Sequence, residues 1–329
     1  MRKFIIKRLL ISIVILFFFF IIAYLLMRCM PADYVEQMAR ELSSRPGSKS
    51  FDEWKNQLYA AYGMDQNLIL GYFTWLSNAV VGNFGDAWSR PGQTVIEVFN
   101  SVIWYSFALG AISFVLQIVI AIPLGIVAAK KQYSKTDYVV SFIALLGISL
   151  PTFFLATLLK WIFSIKLGWL DLFGIVGRNY QQLSSFGKVL DMGAHMILPV
   201  ITLTVVSIGS LMRYTRTNML EVLNSDFIRT ARAKGLSESR VINYHAFRNT
   251  LIPVVTILGG SLPSLFAGAQ ITETLFQIPG IGYTSYEAIL AGDIPFVMFY
   301  IVFLAVLTLL GTLIADILYA VVDPRVRIQ

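Results

Sequence analysis

Leu9–Met27 reads LLISIVILFFFFIIAYLLM, nineteen consecutive residues without a charge. About 20 apolar residues carry a helix across the hydrocarbon core of a bilayer, so this stretch sets the fold problem in lipid rather than in water. Arg2, Lys3, Lys7 and Arg8 precede it, the arrangement of a secretory signal. Nineteen apolar residues exceed the roughly 7–15 of a signal core, however, and no small-x-small cleavage site follows. Leu26-Met27-Arg28-Cys29 has the outline of a lipoprotein box, but an Arg directly before the Cys argues against processing. The reading is a retained anchor helix within residues 1–28.

The rest of the chain agrees with that start. Hydrophobic residues make up 57% of the 329 and charged residues only 14%, whereas soluble domains run near 45–50% and 25%. The net charge of +7 is spread in short blocks between apolar runs, which suits anionic headgroups and speaks against nucleic acid. A single cysteine, Cys29, excludes an intrachain disulfide framework, and with two histidines it gives no metal site.

Five further windows lack Asp, Glu, Lys and Arg: Val98–Ala129, with Ile103–Ala129 as its spanning part, then Tyr138–Leu159, Met192–Met212, Thr250–Thr272 and Ile294–Ala315. Six transmembrane helices in an all-α integral membrane protein are therefore expected. Lys and Arg number four before the first span, three at 130–137, seven at 213–249 and two near the C-terminus. The opposite short loops hold Lys166, Arg178 and Lys188. The positive-inside bias then puts both termini in the cytoplasm and the long 28–97 loop outside.

In that outer loop Phe51, Trp54, Leu58 and Tyr62 fall at helical spacing before Gly63, and Tyr72, Phe73, Trp75 and Leu76 form a second aromatic cluster. A small amphipathic subdomain is expected there. The boundaries follow as 1–28 anchor helix, 29–94 extracytoplasmic subdomain, 95–322 membrane domain and 323–329 cytoplasmic tail.

Chemistry of its own is hard to find in the chain. Gly187-Lys188 lacks the leading glycine of a phosphate-binding loop, Gln182 standing in its place. Neither a His-Glu-x-x-His nor a Gly-x-Ser-x-Gly motif occurs. Lys160, His195, Glu273 and Asp316 fall toward span ends, where snorkelling or interfacial placement accounts for them. An ion-driven carrier needs ionisable groups at mid-membrane, and a membrane enzyme needs a nucleophile and base on facing spans. Both readings lack their residues.

The 213–249 loop is the most informative. Ser225-Asp226-Phe227-Ile228-Arg229-Thr230-Ala231-Arg232-Ala233-Lys234-Gly235-Leu236 predicts a short helix capped by Ser225 or Asp226 and ended by Gly235. Phe227, Ile228 and Ala231 share a stripe, with Arg229, Arg232 and Lys234 around the remainder. A second helical stretch, Ser237–Arg248, leads into the fifth span.

Arg229-Thr230-Ala231 with Gly235, followed by Asn249-Thr250-Leu251-Ile252-Pro253, resembles the signature loop of binding-protein-dependent ABC importer permeases. It is most similar to the dipeptide/oligopeptide/nickel branch, in its first permease subunit type. The wider family opens this loop with Glu where Arg229 stands, and Gly235–Pro253 is about five residues longer than in sugar permeases; the peptide branch tends to both. Tyr62-Gly63-Met64-Asp65-Gln66, Gly82-Asn83-Phe84-Gly85, Ser149-Leu150-Pro151-Thr152-Phe153, Glu273-Thr274-Leu275-Phe276 and Asp323-Pro324-Arg325 extend the resemblance over nearly the whole chain.

The resemblance implies a type I importer permease fold. It also implies a second homologous permease subunit, two ABC ATPases that bind ATP and Mg, and an extracytoplasmic substrate-binding protein. This chain itself is expected to hold no cofactor. Asp226–Gly235 would seat on an ATPase. Gly259, Gly260, Ser261, Pro263, Ser264 and Gly268 are candidate pathway liners in the fifth span, and Pro151 and Pro199 could kink the third and fourth. Glu273, Pro279, Gly280, Gly282 and Asp293 are candidates for the outer mouth, where the binding protein docks. Peptides lead as cargo, with a nickel or metal chelate or an oligosaccharide as alternatives and an ATP-independent carrier further behind.

Overall fold

The computed structural model describes residues 2–29, 32–61 and 67–322. Tyr62–Gln66, with the expected stop at Gly63, and the 323–329 tail lie outside these. The described residues are helical, without a β-strand beyond an isolated bridge between Asp86 and Thr94. In order, the helices are α1 (Arg2–Arg28), α2 (Ala32–Ser43), α3 (Phe51–Ala61), α4 (Leu68–Val80), α5 (Val95–Lys130), α6 (Lys135–Ser149) and α7 (Thr152–Leu159). There follow α8 (Ser185–Leu223), α9 (Asp226–Ala233), α10 (Glu238–Arg240), α11 (Phe247–Ser261), α12 (Gln270–Phe276), α13 (Ile281–Ala291) and α14 (Ile294–Val322). Wider π turns extend α7 through Lys160–Lys166 and join α10 to α11 through Val241–Ala246.

Among the described residues four helices are long and apolar enough to cross a membrane unaided, and two bent pairs bring the total to six when each is one crossing. The bend in the third span is the kink expected at Pro151, whereas the break in the fifth span divides a window that hydropathy alone shows as continuous. Tyr138–Leu159 is two helices meeting at 102°. Pro151 has no N–H to continue the ladder, and Leu150 before it is forced extended, at ψ 122°. In the fifth span the break of 49° falls ahead of Pro253, and α11 ends at Ser261 in a 3₁₀ turn, so Thr250–Thr272 is not one helix. By contrast, α8 runs unbroken through Pro199. Its 39 residues extend about 58 Å, roughly twice the hydrocarbon thickness.

Two compact units divide the chain. One gathers Ile6–Ser101 and Glu287–Val306. Its core packs Ala23 and Tyr24 of α1 with Val35, Ala39 and Leu42 of α2, Leu58 of α3, and Tyr72 and Trp75 of α4. Rings meet edge-on, Phe20 with Trp75 at 6.0 Å and Tyr24 with Tyr72 at 5.7 Å. Helix α3 starts with a capping box: the Ser50 backbone N–H and hydroxyl both donate to Glu53, each at 2.9 Å. Lys55 of α3 reaches Glu36 of α2 at 2.6 Å.

The other unit holds residues 2–5, Val102–Tyr286 and residues 307–322. Here α6 lies against α8 at glycines: a Cβ on Gly147 would come within 2.6 Å of the Val205 carbonyl, and one on Gly209 would strike that of Ala144. Nearer the start of α6, the Arg216 guanidinium donates to both oxygens of Asp137, at 2.6 and 2.7 Å.

Candidate translocation cavity and coupling helix

A cavity of about 470 Å³ opens between α5, α8 and α11. Helix α5 presents Ser106, Gly110, Ser113 and Gln117, helix α8 presents Ser207, Ser210 and Tyr214, and the end of α11 with its 3₁₀ turn adds Ser261, Ser264 and Gly268. No charged residue lines it. The Gln117 amide donates to the Ser207 carbonyl at 3.0 Å. The Ser113 and Ser261 hydroxyls donate to carbonyls of their own helices at 2.8 Å, and Phe114, Leu203, Ile257 and Leu265 complete the lining, so the wall is mainly apolar with a few largely satisfied polar groups. Such a surface can accept weak hydrogen bonds from a solute without holding it by charge.

Of the six liners expected in the fifth span, Ser261, Ser264 and Gly268 face this cavity. The other three turn away, a correction. A Cβ on Gly259 would collide with Leu318, one on Gly260 would lie 3.1 Å from Ala315, and Pro263 is buried near Gly311. Their small size permits close packing on α14. Sequence reasoning missed the contributions of α5 and α8, although Ser106, Gly110, Ser113 and Gln117 recur at the spacing of one helical face.

Glu273 closes one end of this region. It is fully buried, accepting from the Ser106 hydroxyl at 2.7 Å, the Ala269 N–H at 2.8 Å and the Tyr283 N–H at 2.9 Å. Gly280 and Gly282 are buried beside it, and a Cβ on either would come within 2.5 or 2.9 Å of its Oε2. The expectation that Glu273, Gly280 and Gly282 present a docking surface is therefore corrected, since this carboxylate braces the turn from inside. Pro279 alone of that turn's candidates keeps a partly open surface. Asp293, the remaining candidate, is likewise fully buried: one oxygen takes the Ser89 N–H and hydroxyl at 2.8 and 2.6 Å, the other the Phe296 N–H at the start of α14.

Two groups assigned to snorkelling are also internal. Lys160 is only 9% exposed, donating to the Leu275 carbonyl over the Phe173 ring. His195 is buried, with Nδ1 2.8 Å from the Asp191 carbonyl and Nε2 3.3 Å from Asp171.

The short helix forms at Asp226–Ala233, and Gly235 takes the expected left-handed turn at φ 75°. Its start differs from expectation. Asp226 points to solvent, and the Ser225 hydroxyl turns back to the Val222 carbonyl at 2.6 Å, so no side chain caps the helix. The apolar stripe also splits. Ile228 and Ala231 are buried against Ala129 at the end of α5, Met219 of α8, and Val241, Ile242 and Ala246 leading into α11. Phe227 stays 46% exposed, among exposed Arg229, Thr230, Arg232, Ala233 and Lys234. Arg232 reaches Glu238 at 2.7 Å across the turn. Thus α9 rests on the ends of the three helices that line the cavity.

A set of bent, apolar helices around an uncharged cavity, with a basic helix seated on their ends, defines a multi-pass membrane permease component. Residues 121–328 match the family described as binding-protein-dependent transport system inner membrane component, and residues 1–94 match its N-terminal region. The chain belongs to this family, whose members sit in the bacterial cytoplasmic membrane. It is 37% identical to oligopeptide transport system permease protein AppB of Bacillus subtilis, over 99% of this chain and 100% of that one. It is 35% identical to OppB of Haemophilus influenzae, with the same coverage. With the di/tripeptide permease DppB of Pseudomonas aeruginosa it shares 34% over the full length of both. A chain of the methionine ABC transporter MetNI, in an inward-facing crystal form, superposes with TM-score 0.54 at 18% identity, covering 69% of this chain and 96% of that one. That likeness speaks to the fold.

Proposed function

We propose that this chain is one of two permease subunits of an ATP-driven importer of di- and oligopeptides. An extracytoplasmic binding protein delivers the cargo at the end near Pro279, and two ATPase subunits bind ATP and Mg at the other. Both termini are cytoplasmic in this reading. The observation that carries it is the seating of α9 through Ile228 and Ala231 on the ends of α5, α8 and the run into α11. A force applied to the exposed Phe227 face reaches all three cavity-lining helices through one buried contact. Closure of the ATPase pair then biases a two-state element, with access to the cavity alternating between the two sides. The uncharged wall suits a pathway that must release what it admits, leaving selectivity to the binding protein. Peptide cargo follows the named activity of the relatives above 30% identity.

The test is co-purification with the ATPases, reconstitution in proteoliposomes, and ATPase measurement with peptide-loaded binding protein. Hydrolysis is expected to rise with loaded and not with empty binding protein, and peptide is expected to accumulate inside. Accumulation that persists without the ATPase subunits would defeat the proposal.

A further inference from the structure

A second cleft lies between α6 and α8, with a volume of about 350 Å³. It is bounded on one side by the glycine crossing at Gly147 and Gly209 and on the other by the Asp137–Arg216 pair. Its lining is graded along the helices. Ser141, Arg213 and Thr217 stand toward the end of the bundle that carries α9, and Leu145 and Ile148 lie deeper. Those two are 56% and 46% exposed. At 100° per residue, Arg213, Arg216 and Thr217 centre roughly 100° around α8 from Ser207, Ser210 and Tyr214. The cleft therefore opens on a different face of α8 from the cavity, and no residue lines both.

Its charge is one-sided. Arg216 is committed to Asp137, a pair that fixes the wall. Arg213 is exposed and makes no ion pair among the described residues. Lys130, Lys131 and Lys135 flank the same end of α6. The Ser141 and Thr217 hydroxyls donate to Asp137 and to the Arg213 carbonyl, so the Arg213 guanidinium supplies the anion contact. A cation above an open apolar floor matches a phosphate joined to acyl chains, a combination that favours anionic headgroups. We infer that this cleft binds one anionic glycerophospholipid, its phosphate on Arg213 and an acyl chain along Leu145 and Ile148. The inference rests on the membrane fold and not on the identity of the cargo.

Native mass spectrometry of the detergent-solubilised full chain tests it, with phosphatidylglycerol and phosphatidylcholine of matched chains. The expected result is one retained phosphatidylglycerol, held about fivefold tighter than phosphatidylcholine, the weight of one cation at a lipid surface. Arg213→Gln should abolish that preference with unchanged melting temperature, Ile148→Asn should weaken both lipids, and Lys188→Gln at the far end of α8 should change nothing. Equal retention of the two lipids by the wild type, or an undiminished preference in Arg213→Gln, would overturn the site. Displacement of the lipid by glycerol 3-phosphate alone would also overturn it, in favour of a soluble anion.

Discussion

The Ser106 hydroxyl donates to Glu273 at 2.7 Å while accepting from the Ile281 N–H at 2.8 Å, so one small side chain on α5 joins both sides of the turn between α12 and α13. All three groups are buried, and removal of the hydroxyl leaves a carboxylate oxygen and an amide each one partner short. Ser106→Ala should therefore cost about 1–3 kcal/mol, read as a lower melting temperature in detergent. Gly280→Ala should do more damage, because its Cβ would sit 2.5 Å from a Glu273 oxygen. A Ser106→Ala chain that melts with the wild type would show the junction to be incidental.

The pair between Asp137 and Arg216 calls for a different experiment. The Asp137 carboxylate is 4% exposed and is also held by the Tyr133 N–H at 2.9 Å. Removing one partner of a buried pair strands the other, at about 3–5 kcal/mol. Arg216→Leu and Asp137→Leu should each destabilise strongly, and the double variant should recover much of the loss. Additive losses in the double variant, measured by thermal unfolding, would count against the pair as the source of the effect.

The sequence marked out the apolar windows and the short helix with its Gly235 turn, because each depends on nearest neighbours along the chain. It offered Pro151 and Pro199 alike as kink sites and did not choose between them. Pro151 bends its span through 102° while Pro199 leaves α8 continuous, and only packing decides between the two. Nor did small size alone separate Ser261, which faces the cavity, from Gly259, which packs on α14. Glu273 and Asp293 read as exposed outer groups because acidic residues in loops usually are. Their burial depends on N–H donors from elsewhere in the fold, Tyr283 for one and Ser89 for the other.

Acid should loosen the contact between α2 and α3. The Lys55 ammonium, first through its hydrogen bond and then through its charge, holds Glu36 below the ordinary carboxylate range. A depressed carboxyl contributes its stability above that range and loses it as pH falls through it. Both side chains are about a third exposed, so the effect is small. Hydrogen-exchange protection in α2 should hold down to about pH 5 in the wild type, decline below about 4.5 and stay level in Lys55→Gln, and matching declines in both would refute the assignment.

Cavity and packing faces of the fifth span should separate by mutation. Ser261→Trp fills the cavity and should abolish uptake by ten-fold or more while the protein inserts and melts normally. Gly259→Leu meets Leu318 on α14 instead, and should lower yield and melting temperature first, since overpacking costs about 1–3 kcal/mol. Normal uptake with Ser261→Trp would remove this cavity from the pathway.

Coupling can be tested at two residues of one loop that differ in what they touch. Phe227 is exposed on α9, so Phe227→Ala should leave folding unchanged and reduce transport-linked ATP hydrolysis several-fold in the assembled complex. Gly235 sits at φ 75°, whereas a proline ring fixes φ near −65°. Gly235→Pro must therefore redirect the chain after α9 and should uncouple hydrolysis from uptake while the spans still insert. Ala231→Arg acts differently from a surface substitution, because Ala231 is 7% exposed against the chain's own core. It should unseat α9 from Val241 and Ile242, so that both coupling and local protection fall together. Uptake at the wild-type rate in both Phe227→Ala and Gly235→Pro would mean that force enters the bundle elsewhere than through α9.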